Sequence, residues 1–294
     1  VKSVGFEFVG IAKAEKLDNE ARLLEKWLQN NYNGKMGYME KWFDKRIDPR
    51  LLVPGAKSVI CMLFNYMPKE NLQEDSYKIA KYAYGNDYHE VLKSKLATVL
   101  TNLRLKIGEF DARIFVDSAP VMERTWAKRS GLGWQGKHTL LIHKKRGSYF
   151  FIATIICDLD LEYDSPFTSD HCGSCTRCID ACPTEAIVGN NILDASKCIS
   201  YLTIELKDEI PQEFRGKMDD WIFGCDICQN VCPWNSFAFA HSEDAFDPNS
   251  ALLSMQKKDW DELSQDLFKT LFKHTPLQRT KWKGLRRNID FIRS

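Results

Sequence analysis

Eight of the ten cysteines of this chain fall between Cys172 and Cys232, a window of 61 residues. The first four read Cys172-x2-Cys175-x2-Cys178-x3-Cys182-Pro183, and a second set reads Cys225-x2-Cys228-x3-Cys232-Pro233 with Cys198 upstream. Disulfide scaffolds spread their cysteines through a short secreted chain, whereas dense clustering inside a longer protein points to metal. Eight neighbouring thiolates also need a cation or an inorganic core to offset their charge.

The first run has the spacing, including the proline, of a bacterial ferredoxin. Two-residue gaps let three thiolates converge on one cubane, and the fourth cysteine, expected to open a short helix, points to a second cluster. The second run lacks one cysteine, which Cys198 replaces. The expected ligand sets are therefore Cys172, Cys175, Cys178 and Cys232 for one [4Fe–4S] cluster, and Cys182, Cys198, Cys225 and Cys228 for the other. Zinc is the alternative, since paired C-x2-C units also build ribbons, but a zinc site has no use for the run occurring twice. Cys61 and Cys157 lie in apolar stretches and read as core residues.

A cluster pair occupies about a fifth of the chain, and what precedes it must house the use of the electrons. That part reads as alternating helices and strands. A helical stripe covers Leu17 to Asn31, a buried strand Ser58 to Tyr66, and a long helix Asp87 to Ile107. A strand from Ala112 to Val116 leads into Asp117-Ser118-Ala119-Pro120, which reads as a capped helix start. The helix runs through Arg129 to a glycine-rich loop, and the strands Thr139–His143 and Ser148–Cys157 read as a hairpin. Ser250 to Lys273 is amphipathic and predicted helical. The last twenty residues carry six cations against Asp290, a net charge of +5.

Gly131-x-Gly133-x-x-Gly136 matches a dinucleotide fingerprint by letter, but a helix precedes and a strand follows, the reverse of what that site requires. It is either a tight connecting loop or backbone bared for a large flat ligand. Asp87-Tyr88-His89 begins like the Asp-x-His-x-x-Gly motif of enzymes that bind cobalt through histidine. Leu92 holds the glycine position, so that mode is not supported, and the six scattered histidines read as structural or exposed. Asp117 at a strand end can cap a helix or serve a site. Arg124, Lys137 and Lys144 to Arg146 are solvated charges or contacts to phosphate or to a cofactor's amides.

Taken together, Asp117-Ser118-Ala119-Pro120-Val121-Met122-Glu123-Arg124, Gly131-Leu132-Gly133-Trp134-Gln135-Gly136-Lys137, the two cysteine runs and Gly224-Cys225-Asp226-Ile227-Cys228-Gln229 resemble the epoxyqueuosine reductase family. The resemblance implies an α+β chain: a cobalamin-binding α/β catalytic domain (1–165), a ferredoxin-like module with two [4Fe–4S] clusters (166–236), and a short, helical, basic C-terminal region (237–294). It implies reduction of epoxyqueuosine to queuosine at the wobble position of tRNA, with electrons from an unidentified donor. Asp117 is then the proton donor at the epoxide, its carboxyl expected to be raised by burial over the corrin. Gly133, Trp134, Gly136, Lys137, Ser200, Cys225 and Asp226 are expected at the cobalamin. Lys207 and the tail cations Arg279, Lys281, Lys283, Arg286 and Arg287 are expected at the tRNA. The rival readings are a reductive dehalogenase-like enzyme on a small molecule and an electron-transfer subunit.

Composition bounds the rest. The 294 residues are 44% hydrophobic and 28% charged, with 41 Lys plus Arg against 40 Asp plus Glu. A wholly basic nucleic-acid coat and an acidic disordered tail are both excluded. The longest mainly apolar run, Tyr149 to Cys157, is half the length of a membrane span, and no charged-then-apolar leader precedes it. The expectation is a cytoplasmic, monomeric protein without a membrane association.

Overall fold

A computed structural model describes residues 1–294. The first part of the chain contains β1 (Phe8–Lys13), α1 (Asp18–Gln29), the short helices α2 (Tyr38–Lys41) and α3 (Phe43–Ile47), β2 (Ser58–Asn65), β3 (Lys78–Ile79) and the long α4 (Tyr88–Ile107). It continues through β4 (Ala112–Phe115), α5 (Glu123–Arg129), β5 (Trp134–Gln135), β6 (Leu141–Ile142) and β7 (Phe150–Cys157). Four of the strands form an antiparallel sheet in the order β1-β2-β7-β4.

Strand β2 is buried along its whole length because both faces of the sheet are covered. Side chains alternate across a strand, so Val59, Cys61 and Leu63 meet Leu17, Ala21, Leu24 and Trp126 of α1, its approach and α5. Ile60, Met62 and Phe64 meet Leu92, Leu96 and Val99 of α4 on the other face. A sheet sandwiched in this way reads in sequence as a continuous apolar run. Cys61 and Cys157 are buried in it as core residues. The start of α4 matters for function: the Asp87 carboxylate caps it by accepting from the His89 N–H at 2.9 Å, which fixes Asp87 and His89 side by side.

The second part contains α6 (Arg177–Asp180), a small hairpin of β8 (Ile187–Gly189) and β9 (Ile192–Leu193), a π-helical turn at Tyr201–Glu205, β10 (Trp221–Phe223) and α7 (Ile227–Asn230). It ends in α8 (Ser250–Ser254), α9 (Lys257–Asp261), α10 (Gln265–Leu271) and α11 (Lys281–Arg293). Strand β10 pairs in parallel with β3. Around that pair, Tyr77, Ile79 and Tyr84 share one core with Phe223, Trp260, Phe268, Phe272, Leu285 and Ile289. The C-terminal helices thus close on the segment between β2 and α4, at the mouth of the cleft described below.

Four local expectations change. The segment after Val116 does not begin a helix: Asp117 takes φ +53°, its N–H donates to Glu123 Oε1 at 2.8 Å, and α5 starts only at Glu123. The hairpin expected between Thr139 and Cys157 shrinks to one bridge between His143 and Gly147. Strand β6 instead pairs with β5, while β7 takes the distant partners β2 and β4. Cys182 opens no helix, because the short helix α6 precedes it and carries Cys178. Ser250 to Lys273 breaks into α8, α9 and α10, since Asn249, a Gln256–Asp259 capping box and Ser264 each start a new helix.

Candidate functional site

The cysteines come together from the loops around α6 and α7. Cys172, Cys175, Cys178 and Cys232 line one cavity of about 50 Å³ with His138, His171 and Trp234. The Cys232 thiol is raised by burial and by Cys172, Cys178 and Cys175 beside it. In the second group, Cys198 feels Cys182, Cys225 feels Cys198 and Cys228, and Cys228 feels Cys198, Cys178 and Cys182. The thiols therefore fall into the two expected neighbourhoods, which adjoin at Cys178 and Cys228. No three His, Cys, Asp or Glu side chains converge closely enough for a single ion.

The sheet holds this module in register. Gln229, on the buried face of α7, bonds Tyr66 at the end of β2 and Ser148 before β7. Asn235 accepts from the Ser148 N–H at 2.7 Å and donates to the Gln229 carbonyl. Tyr149 donates to Asn230 at 2.8 Å.

Lys137, Trp134 and the glycines serve the chain itself. Lys137 is buried, and its Nζ donates to the Gly173 and Cys175 carbonyls at 2.8 and 2.9 Å, pinning the first cysteine loop. Trp134 is buried among Phe167, His171 and Trp234, against the same loop. At Gly133, with φ +154°, a Cβ would collide with the Ile142 carbonyl oxygen, and at Gly136 it would strike the Ile142 side chain. Both glycines are thus required by the close approach of this loop to Ile142 of β6. Gly133→Ala is expected to lower stability by about 3 kcal/mol or more through strain and overpacking, measurable as a fall in Tm of the anaerobic protein.

A separate cleft of about 510 Å³ opens where the start of α4 faces the C-terminal half. Its walls are Tyr82, Asp87, Tyr88, His89 and Lys93 on the α4 side, Asp117 and Ser118 from the β4–α5 loop, and Ile204, Glu205 and Arg279 from the C-terminal half. Tyr82 lies between the cysteines and Asp117: its ring is 3.5 Å from where a Cβ of Gly224 would be, and its hydroxyl feels both Asp117 and Asp226. Asp226, buried next to Cys225, accepts from the Lys81 N–H at 2.7 Å and has its carboxyl pushed up by burial. Ser200 contacts the Cys198 thiol, so its hydroxyl addresses a cysteine.

Asp117 is the convergence point. The Tyr88 hydroxyl donates to its Oδ2 at 2.8 Å, and His89 Nε2 stands 3.4 Å from the same oxygen. Tyr88 is held by stacking on Phe151 of β7 at 4.2 Å. The carboxylate is 56% exposed, into the cleft. Desolvation raises Asp117, but the bonds from His89 and Tyr88 outweigh it and hold the carboxyl below its ordinary range. The expected raised carboxyl is thus corrected, because sequence periodicity is blind to the two donors. Raised proton affinity is found nearby: burial and the Asp117 charge push Glu123 up to about 8, and His89 is pushed up to about 9, its bonds to Asp117 and Asp87 outweighing desolvation. Arg124 is exposed yet lowered by desolvation, as on the floor of a deep recess, and donates to the Thr139 carbonyl at 2.9 Å. Arg146 lies elsewhere, over Phe239 and beside Glu7.

The expected RNA-facing cations divide. Arg287 turns inward and donates to the Leu202 and Leu206 carbonyls, which the π-helical turn leaves unpaired. Arg286 donates to the Asp261 carbonyl and pairs with Asp290 at 2.9 Å. Both brace the fold because helix α11 presents them to buried carbonyls. Lys281 and Lys283 are exposed with no ion pair or hydrogen bond. Lys207, lowered by desolvation against Glu205 and repelled by Arg279, Arg287 and Lys281, lies near Arg279, which pairs with Glu205 at 2.7 Å at the cleft rim. His89, Tyr88, Tyr82 and Glu205 were not singled out by sequence. Only the Asp87-x-His89 spacing carried a signal, and it was set aside on the missing glycine.

Known proteins share this arrangement. Residues 171–235 match a family described as a 4Fe-4S double cluster binding domain, and residues 46–118 match one described as "Epoxyqueuosine reductase QueG, DUF1730". The chain is similar to an epoxyqueuosine reductase of Cellulophaga algicola, 59% identical over 290 residues, covering 99% of this chain and 94% of that one. It is 40% identical to an epoxyqueuosine reductase of Pseudomonas aeruginosa, covering 98% and 81% of the two chains. Among solved structures it is similar to an epoxyqueuosine reductase with a tRNA-Tyr epoxyqueuosine-modified stem loop, with TM-score 0.91, 32% identity and coverage of 99% and 78%. It is also similar to that of Streptococcus thermophilus, with TM-score 0.89, 30% identity and the same coverage.

Proposed function

The chain belongs to the epoxyqueuosine reductase family, and from that premise we propose how its own residues deoxygenate epoxyqueuosine in tRNA. The reaction converts an epoxide to an alkene and water, taking up two electrons and two protons. The observation that carries the proposal is the cleft lined by Asp117 and by Tyr82, whose ring also packs against Gly224, next to Cys225. An electron carrier alone has no use for such a cleft.

Cys172, Cys175, Cys178 and Cys232 hold the outer [4Fe–4S] cluster, and Cys182, Cys198, Cys225 and Cys228 the second one. Clusters held by these cysteines would supply a one-electron path from an unidentified donor toward the cleft. The open cleft with aromatic Tyr82 and Tyr88, apolar Ile204 and polar Gln278 and Arg279 fits cobalamin, which when bound would supply a low-valent cobalt centre for two-electron cleavage of a carbon–oxygen bond. Cys225 and Asp226 lie at its cluster side. Asp117 delivers a proton to the oxygen as the bond breaks, since an alkoxide leaves poorly unless protonated. Tyr88 fixes the carboxylate so that its second oxygen faces the cleft.

A modified base reaches Asp117 only as an extruded nucleotide. Arg279 at the rim and the exposed Lys207, Lys281 and Lys283 offer phosphate contacts for the anticodon loop. No helix is long and apolar enough to cross a membrane. A tRNA substrate places the enzyme in the cytoplasm. The experiment is anaerobic incubation of the reduced protein with cobalamin and an epoxyqueuosine-bearing stem loop, read by mass spectrometry. A product nucleoside lighter by one oxygen is expected, and unchanged substrate overturns the proposal. In the same assay K281A/K283A is expected to weaken stem-loop binding and to reduce the salt slope by about one for each phosphate no longer neutralised. R287A is expected to lower Tm without altering that slope.

A further inference from the structure

The mechanism leaves a difficulty that the geometry resolves. Asp117 must give up a proton, yet its carboxyl is held below the usual range by His89 and Tyr88. His89 beside it is pushed up to about 9 by its bonds to Asp117 and Asp87. Its Nδ1 lies 2.7 Å from Asp87 Oδ1 and its Nε2 lies 3.4 Å from Asp117 Oδ2. Asp87 is itself locked as the cap of α4, and its N–H donates to the His274 carbonyl. The imidazole therefore sits between two carboxylates, one fixed in the fold and one facing the cleft.

Resting on the reading of the cleft as the deoxygenation site, we propose that Asp87, His89 and Asp117 form a relay in which His89, oriented by Asp87, supplies the proton that Asp117 passes to the departing oxygen. While water fills the cleft, the His89–Asp117 pair is charge-separated. Filling the cleft with reactants removes water from both groups, and desolvation disfavours both charges. The proton then moves from Nε2 to Asp117 and from there to the oxygen as the carbon–oxygen bond breaks, with the electrons supplied through the clusters. His89 is left neutral, its remaining N–H directed to Asp87. Recharged from solvent, the relay delivers the second proton as the hydroxyl leaves as water. The charged and titratable neighbours are Asp87, Tyr88, Glu90 and Lys93 on α4, Asp117 and Glu123 from the loop opposite, Glu205 and Arg279 across the cleft, Tyr82, and His274, which pairs with Glu90 at 3.8 Å. Only Asp87 and Asp117 bond the imidazole, so His89 is a positioning and proton-supplying residue acting through Asp117.

Two measurements test this. In single-turnover deoxygenation with clusters and cobalamin loaded, the parent rate is expected to fall above about pH 9 as His89 loses its proton. H89Q is expected to be ten- to a hundredfold slower and to lose that limb, and D87N to move it to lower pH. Imidazole is expected to restore part of the rate to H89G. Deuterium exchange at the His89 imidazole Cε1, read by mass spectrometry on the cluster-loaded protein, reports its titration without any turnover. Its midpoint is expected to drop in both D87N and D117N. An H89Q enzyme with the parental rate and pH profile overturns the relay, as does a midpoint that neither carboxylate substitution moves. A parent that leaves the epoxide untouched overturns the reading of the cleft, while the exchange midpoints still decide whether the three residues are coupled.

Discussion

D117N is expected to reduce epoxyqueuosine on the order of 10³-fold more slowly than the parent, with both clusters intact. General acid catalysis contributes roughly 10²–10⁴-fold where the leaving oxygen is a strong base, and an alkoxide freed from an epoxide is one. Asparagine keeps the size of the side chain and can still accept from the Tyr88 hydroxyl, now 2.8 Å from the carboxylate. It cannot take a proton from His89 and pass it on. Because the side chain faces the cleft and is 56% exposed, little packing is lost, so Tm is expected to hold. The checks are single-turnover rate, iron content and cobalamin absorbance of the same preparation. A D117N enzyme that turns over at the parental rate with all cofactors bound sinks the assignment.

C198A is expected to lose about half of the iron and sulfide and all measurable turnover. The second cysteine run contributes Cys225 and Cys228 to the second group, Cys182 arrives from the first run, and Cys198 completes the set from the end of the short Ala195–Lys197 turn that precedes the π-helical one. A cubane with three thiolates loses iron readily, and here the loss falls on the second cluster, so electrons from the outer cluster have no path onward. The outer set of Cys172, Cys175, Cys178 and Cys232 shares one cavity away from the substitution and is expected to keep its cluster. Anaerobic iron and sulfide analysis with electron paramagnetic resonance of the reduced protein reads this directly: one cluster signal and no coupling to a neighbour. Retention of two full clusters would show that Cys198 is a bystander and that another residue closes the set.

The two expectations differ in how far they rest on sequence. The cluster ligands were legible because the constraint is local: gaps of two and three residues let thiolates of one tight loop reach one inorganic core, whatever the rest of the chain does. The same holds for β2 and α4, whose apolar patterns match the faces they bury. Missing from sequence were contacts between segments that only the fold brings together. The Ser148–Cys157 strand found its partners in β2 and β4 rather than in its neighbour. The glycines of the 131–136 loop owe their identity to the Ile142 backbone and side chain and to the Ser165 carbonyl.

Sequence alone thus determined the metal chemistry, the family and the residue types available for proton transfer and phosphate binding. Tertiary structure decided which of them act. It turned Arg287 and Arg286 inward to backbone carbonyls and left Lys281 and Lys283 facing solvent. It also set His89, 28 positions before Asp117 in the chain, against that carboxylate. The physical reason is range. Coordination spacing and burial periodicity act over a few residues, whereas a carboxyl's proton affinity sums desolvation and every charge and donor around it, whichever segment supplies them.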